Sequence, residues 1–249
     1  MESSLNAVLD RIKTTQRTLN NVEIMSLLDL TLLDETATEY DVKSLTAKAS
    51  QHKVAAVCVY PQHLGFIPAG IPLTRATVIN FPQGNASLKE VMKSLRDTLH
   101  QENVQEMDYV FPYRDYLQGN RQEALDHCNS VHHFCHDHGL IFKVILETGA
   151  FPSLESMYQL SSELIQQGCD FLKTSTGQIP QGASTGAAYA ILSAIKDSKI
   201  SCGIKLSGGI RTKQQALEYI HLAEFMLKKK VDKHWFRIGA SSLLDELLQ

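Results

Sequence analysis

The chain has 249 residues, 43% of them hydrophobic and 20% charged, with a formal charge of −3. That length suits one α/β barrel of about 250 residues or one large doubly wound domain, either of which buries enough surface to need no disulfide or metal staple. The slight acidity argues against a general nucleic-acid binder, and no apolar run approaches a membrane span. Five cysteines (Cys58, Cys128, Cys135, Cys169, Cys202) form no paired framework and read as reduced thiols of a cytoplasmic protein.

In chain order, Leu5, Val8, Leu9 and Ile12 recur at helical spacing and predict a short amphipathic N-terminal helix rather than a secretory signal. Short β-rich runs then alternate with longer segments of helical period. Strands are expected at 24–30, 54–60, 76–81, 107–111, 141–147, 171–175, 203–206 and 235–238. Eight such runs separated by helices predict a single TIM (β/α)8 barrel over residues 1–249, several of its strands apolar on both faces. Residues 66–74, with Pro68, Gly70 and Pro72, read as a loop. Ser87-x-x-Glu90 reads as a capping box opening a helix, and Gly139 and Gly168 as helix-ending glycines. The competing open dinucleotide-binding sheet lacks a G-x-G-x-x-G after an early strand; the glycines cluster late instead. The basic run Lys228–Lys230 reads as a solvated helix end.

Three charged residues interrupt apolar strands: Asp108 in Met107-Asp108-Tyr109, Lys173 in Leu172-Lys173-Thr174, and Lys205 in Ile204-Lys205-Leu206. A lysine buried among such neighbours favours its neutral form, and a second lysine on the adjacent strand pushes the same way. An amine tuned in this manner can attack a carbonyl. For one such residue alone, a buried ion pair closing the barrel explains as much; three on strands four, six and seven favour chemistry. Gly208-Gly209-Ile210-Arg211-Thr212 and Gly239-Ala240-Ser241-Ser242 fall at the seventh and eighth strand ends, where barrels often hold a phosphate.

Other signals weigh less. Residues 127–138 carry five histidines and two cysteines. Leu125, Cys128, Val131, His132 and Cys135 also make a buried helical stripe, with the other histidines facing solvent, so no metal site is expected. No serine-hydrolase motif is present. Cys58 could line the pocket, but no His partner is evident in sequence and a packing role is favoured.

These motifs together resemble the deoxyribose-phosphate aldolase family. The resemblance rests on Leu28-Asp29-Leu30-Thr31, Cys58-Val59-Tyr60-Pro61, Asn80-Phe81-Pro82 and Asp108-Tyr109-Val110-Phe111-Pro112. It continues through Lys143-Val144-Ile145-Leu146-Glu147-Thr148-Gly149, Lys173-Thr174-Ser175-Thr176-Gly177, Lys205-Leu206-Ser207-Gly208-Gly209 and Arg237-Ile238-Gly239-Ala240-Ser241-Ser242. They run in family order from about residue 25 to the end. The resemblance implies a cofactor-free class I aldolase that cleaves 2-deoxy-D-ribose 5-phosphate to acetaldehyde and D-glyceraldehyde 3-phosphate. It implies Lys173 as the Schiff-base lysine, with Lys205 and Asp108 as its proton-relay partners. Asp29, Cys58, Lys143, Thr174, Gly177, Gly208, Gly209, Gly239, Ser241 and Ser242 are implied around the substrate. The implied partner is a phosphorylated sugar, with neither nucleic acid nor membrane, and a homo-oligomer is compatible with it. A related Schiff-base aldolase or transaldolase on another sugar phosphate, or a non-catalytic sugar-phosphate sensor, are the alternatives. Gln178 stands where some members have lysine, and Leu206-Ser207 where some have Pro-Ala.

Overall fold

The computed structural model describes residues 1–12, 17–101 and 104–249. Eight parallel strands pair in sequential order and close into one barrel, a (β/α)8 TIM barrel. They are β1 Leu28–Leu32, β2 Ala56–Val59, β3 Thr74–Ile79, β4 Glu106–Val110, β5 Ile141–Ile145, β6 Phe171–Lys173, β7 Gly203–Ser207 and β8 Phe236–Ala240. The helices are α1 Glu2–Ile12, α2 Asn21–Met25, α3 Glu39–Gln51, α4 Leu88–Gln101, α5 Tyr113–Leu117, α6 Arg121–Asp137, α7 Leu154–Gln166, α8 Thr185–Ser198, α9 Lys213–Leu227 and α10 Leu243–Leu247.

The N-terminal helix forms as its spacing predicts: α1 packs against α8 and α9, with Ile12 buried and Leu5, Val8 and Leu9 half-buried on the core. The first strand is a correction. Ile24 and Met25 belong to α2, and β1 begins only at Leu28. The reason is a capping box: Asn20 accepts from the Glu23 amide at 2.9 Å while Glu23 accepts from the Asn20 amide at 2.9 Å. Such a cap contributes on the order of 1 kcal/mol and starts a helix that the apolar run conceals. Ser87 and Glu90 make the expected box ahead of α4. Gly139 and Gly168 take positive φ after α6 and α7. After β2 the chain makes only a 3-10 turn, Pro61–Phe66, and then a loop. Pro61 opens this turn at a position whose amide a helix does not use, whereas Pro68 and Pro72 each remove an amide that a longer helix needs.

Alternation along each strand sorts the barrel's two faces. Leu28, Leu30, Val57, Tyr109, Val144, Leu172, Ile204 and Ile238 join the large apolar core. Ala56, Cys58, Ala76 and Val78 form a separate small apolar cluster on β2 and β3. Around the rest of the interior stand charged residues: Asp29, Glu106, Asp108, Lys143, Lys173, Lys205 and Arg237 are all at most 5% exposed.

All five cysteines are buried free thiols. On α6, Cys128, Val131 and Cys135 are buried and His132 is half-buried against Phe142, as the stripe predicts. His127 does not face solvent, however: its Nδ1 lies 2.5 Å from the Tyr109 hydroxyl. Among the described residues no three His, Cys, Asp or Glu side chains group to hold a metal ion. Nor, among them, is any helix long and apolar enough to cross a membrane. Lys228–Lys230 are exposed at the end of α9.

Candidate active site

Strand register brings the charged residues together. Asp108 is level with Lys143, Lys173 with Lys205, and Lys205 with Arg237. Asp108 lies between the amines: its Oδ1 is 2.9 Å from Lys143 Nζ, and its Oδ2 is 2.8 Å from Lys173 Nζ and 2.7 Å from Lys205 Nζ. Lys205 also reaches Asp29 at 2.6 Å, Asp29 meets Arg237 at 2.5 Å, Arg237 meets Glu106 at 2.8 Å, and Glu106 meets Lys143 at 2.6 Å. The contacts close into a ring inside the barrel, with Lys173 appended to it at Asp108.

The ring fixes the charge of each member. It holds four basic groups (Lys143, Lys173, Lys205, Arg237) against three carboxylates (Asp29, Glu106, Asp108). Lys143, Lys205 and Arg237 each touch two carboxylates; Lys173 touches one, which it shares. Lys173 is therefore the cation in excess. Burial lowers its affinity for a proton, Asp108 opposes that, Lys205 adds to it, and the net shift is below the ordinary lysine value. Burial acts on Lys143 and Lys205 in the same direction, but two carboxylates each outweigh it and hold both above the ordinary value. Burial raises Asp108, yet the three ammonium groups hold its carboxyl well below the usual range.

Lys173 is also the member that opens onto space. A cavity of about 270 Å³ at the C-terminal mouth is lined by Lys173, Thr176, Gly177, Gln178, Gly208, Gly209, Gly239, Ser241 and Ser242, with Thr31 and Arg211 among the others. Gly208 and Gly209 take φ of 92° and 86°, a region that favours glycine. A Cβ on Gly239 would lie 3.2 Å from Lys205 Cε, so this glycine makes room for the lysine.

Sequence-selected residues thus separate into two groups. Gly177, Gly208, Gly209, Gly239, Ser241 and Ser242 line the cavity with Lys173. Asp29, Lys143 and Lys205 are fully buried in the ring below it. Thr174 is buried as well; its hydroxyl donates to the Ser207 carbonyl at 3.1 Å and accepts from the Ser207 amide at 3.0 Å, bracing β6 against β7. Cys58 is buried beside Ala56, Ala76 and Val78, where burial pushes its thiol up to about 11. A thiol so protonated is a poor nucleophile at neutral pH. Glu106 and Arg237 were not singled out by sequence. The alternation Glu106-Met107-Asp108 and a lone arginine in Phe236-Arg237-Ile238 were the available signals.

The ring makes Arg237 a stability residue. Arg237→Met leaves Asp29 and Glu106 short of a cation inside the barrel. Thermal unfolding should show a loss of about 3–5 kcal/mol, on the order of 10 °C in Tm for a chain of this size. A change below about 1 kcal/mol, the range of a surface pair, would show that the contacts contribute little.

The sequence matches the family described as DeoC/LacD family aldolase over residues 24–248. Among solved structures, the chain superposes on the deoxyribose phosphate aldolase of Aeropyrum pernix, described as a tetramer. The TM-score is 0.80 and the identity 24%, with 97% of this chain and 95% of that one covered. A protein of Coccidioides immitis carrying a deoxyribose-phosphate aldolase assignment gives 0.81 and 22%, covering 100% and 97%. One of Toxoplasma gondii ME49 with the same assignment gives 0.82 and 18%, covering 92% of each. At these identities the likeness to solved structures is one of fold; the family match spans nearly the whole sequence, and the chain belongs to the DeoC/LacD aldolase family.

Proposed function

We propose that this chain is a class I aldolase that cleaves 2-deoxy-D-ribose 5-phosphate reversibly to acetaldehyde and D-glyceraldehyde 3-phosphate, through a Schiff base on Lys173. The observation that carries this reading is the charge count: Lys173 is the unmatched cation of the ring and its one member on the cavity. The Lys173 amine, held below the ordinary lysine value by burial and by Lys205, attacks the C1 aldehyde of the open-chain sugar, and loss of water gives an iminium. The C3 hydroxyl loses its proton, the C2–C3 bond breaks, and its electrons pass into an enamine on Lys173. Protonation at C2 and hydrolysis release acetaldehyde. Asp108 and Lys205, which share one carboxylate oxygen with Lys173, would relay these protons through water. The phosphate would lie by Gly208, Gly209, Ser241 and Ser242, near Arg211. A homo-oligomer, such as that of the Aeropyrum relative, fits this proposal without being required by it.

The test is incubation with acetaldehyde and borohydride, followed by peptide mapping. A two-carbon adduct on Lys173 supports the reading, and an adduct on Lys205 alone overturns it. Turnover of another phosphorylated aldose in preference to deoxyribose 5-phosphate would keep the chemistry and change the substrate.

Gln178 gives a further expectation. It lines the same cavity, and its backbone amide donates to the Thr176 hydroxyl at 3.1 Å. Gln178→Lys adds a cation facing the phosphate, so KM for deoxyribose 5-phosphate should fall with kcat nearly unchanged, the pattern of uniform binding. Unphosphorylated deoxyribose should hardly respond. Equal improvement for both substrates, or for neither, places residue 178 away from the phosphate.

A further inference from the structure

One more buried carboxylate lies outside the ring, on Glu147, the residue after the one whose amide donates to the Lys173 carbonyl at 2.9 Å. Glu147 follows β5 with φ 56° and ψ 60°, left-handed geometry that side chains other than glycine seldom adopt. It is fully buried. Among the described residues its carboxylate is hydrogen-bonded only to Thr176, accepting from the amide at 3.3 and 3.4 Å and, more closely, from the hydroxyl. The Thr176 hydroxyl in turn accepts from the Gln178 amide at 3.1 Å. Backbone bonds from Leu146 to Lys173 and from Thr148 to Thr174, both 2.9 Å, lock the two strand ends together. The charges that act on Glu147 are Lys173 on β6 and Arg114 on α5, and Tyr113 of α5 also senses it.

A buried carboxylate without an ion-pair partner is costly, and a left-handed backbone adds to the cost. A brace between two loops does not require that charge, since a single glutamine oxygen could accept from the same amide and hydroxyl. Schiff-base chemistry does. The Lys173 amine can shed its proton, but an iminium keeps its positive charge until it is hydrolysed. The three carboxylates of the ring are already matched by Lys143, Lys205 and Arg237.

We infer that Glu147 is a positioning residue for the Schiff base: through Thr176 it sets the 174–178 loop over Lys173, and its carboxylate balances the iminium charge that the ring leaves over. The inference rests on the Lys173 reading proposed above. Burial raises the Glu147 carboxyl in the free protein, with the Thr176 bonds and then Lys173 opposing it; formation of a fixed cation on Lys173 favours the ionised form.

The test compares wild type with Glu147→Gln and Glu147→Asp, measuring kcat, KM and the fraction of Lys173 trapped by borohydride at fixed acetaldehyde. Glutamine should lower kcat and the trapped fraction by about tenfold or more, the effect of one nearby charge, with KM for the phosphorylated sugar little changed. Aspartate, which keeps the charge but reaches Thr176 poorly, should recover much of the trapped fraction. Wild-type kcat and trapping in the glutamine variant would overturn the inference and leave Glu147 as a brace. If the glutamine variant does not fold, the aspartate variant decides: a trapped fraction near wild type supports the counter-charge, and a tenfold loss overturns it. Failure to trap wild type at Lys173 would instead count against the proposed function.

Discussion

Lys173→Met should abolish borohydride trapping and lower turnover on the order of 10⁴–10⁶-fold, the range seen when an enzyme loses its nucleophile, while the protein melts no lower than wild type. The second half of this expectation follows from the charge count. Removing the unmatched cation leaves three basic groups facing three carboxylates, each basic group touching two of them. A methionine also fills much of the vacated volume without a charge to desolvate. Lys173→Arg should be equally inactive but less stable than Lys173→Met, because it restores an excess cation that cannot deprotonate. In wild type, kcat/KM should rise with pH through the lowered Lys173 value, since below it the amine is protonated and cannot attack. Turnover surviving in Lys173→Met, or trapping on another lysine, would remove Lys173 from the centre of the mechanism.

Sequence made the barrel legible because eight apolar runs alternate with helical segments, and their order is the order of pairing. Asp108, Lys173 and Lys205 were legible because a charge inside an apolar strand is costly without a purpose. Register was not legible. Only the pairing of Asp108 with Lys143 and of Lys205 with Arg237 turns separate charged residues into one closed network, and it draws in Glu106, which sequence alone left in the background. The count of four bases against three acids, which sets Lys173 apart from Lys143 and Lys205, exists only once those contacts are known. Two local features were hidden for different reasons. The Asn20–Glu23 cap turned the start of the first apolar run into a helix against its strand-like composition. Glu147 lies in a strand-like sequence, and its left-handed backbone falls between two residues hydrogen-bonded to the end of β6.

Asp108→Asn should separate two steps that Lys173 substitution removes together. Asp108 Oδ2 contacts Lys173 and Lys205, and Oδ1 contacts Lys143, so asparagine leaves four basic groups facing two carboxylates. Lys173 then loses its one carboxylate contact and becomes still easier to deprotonate, so it should still form a borohydride-trappable adduct with acetaldehyde. Turnover should nevertheless fall about 10²–10⁴-fold, the usual contribution of a general acid–base group. Stability should fall by about 3–5 kcal/mol at neutral pH, the cost of breaking a buried ionic contact from one side. The sign of the pH dependence follows from the depressed folded-state value of Asp108. Its ionised form stabilises wild type fully above the unfolded carboxyl value near 4, and that contribution is lost as pH falls through the folded value. Urea unfolding of the two proteins should therefore differ most near neutrality and converge only in strong acid. If the asparagine variant loses trapping as completely as turnover, Asp108 orients Lys173 for attack, and the proton relay must be assigned to another group.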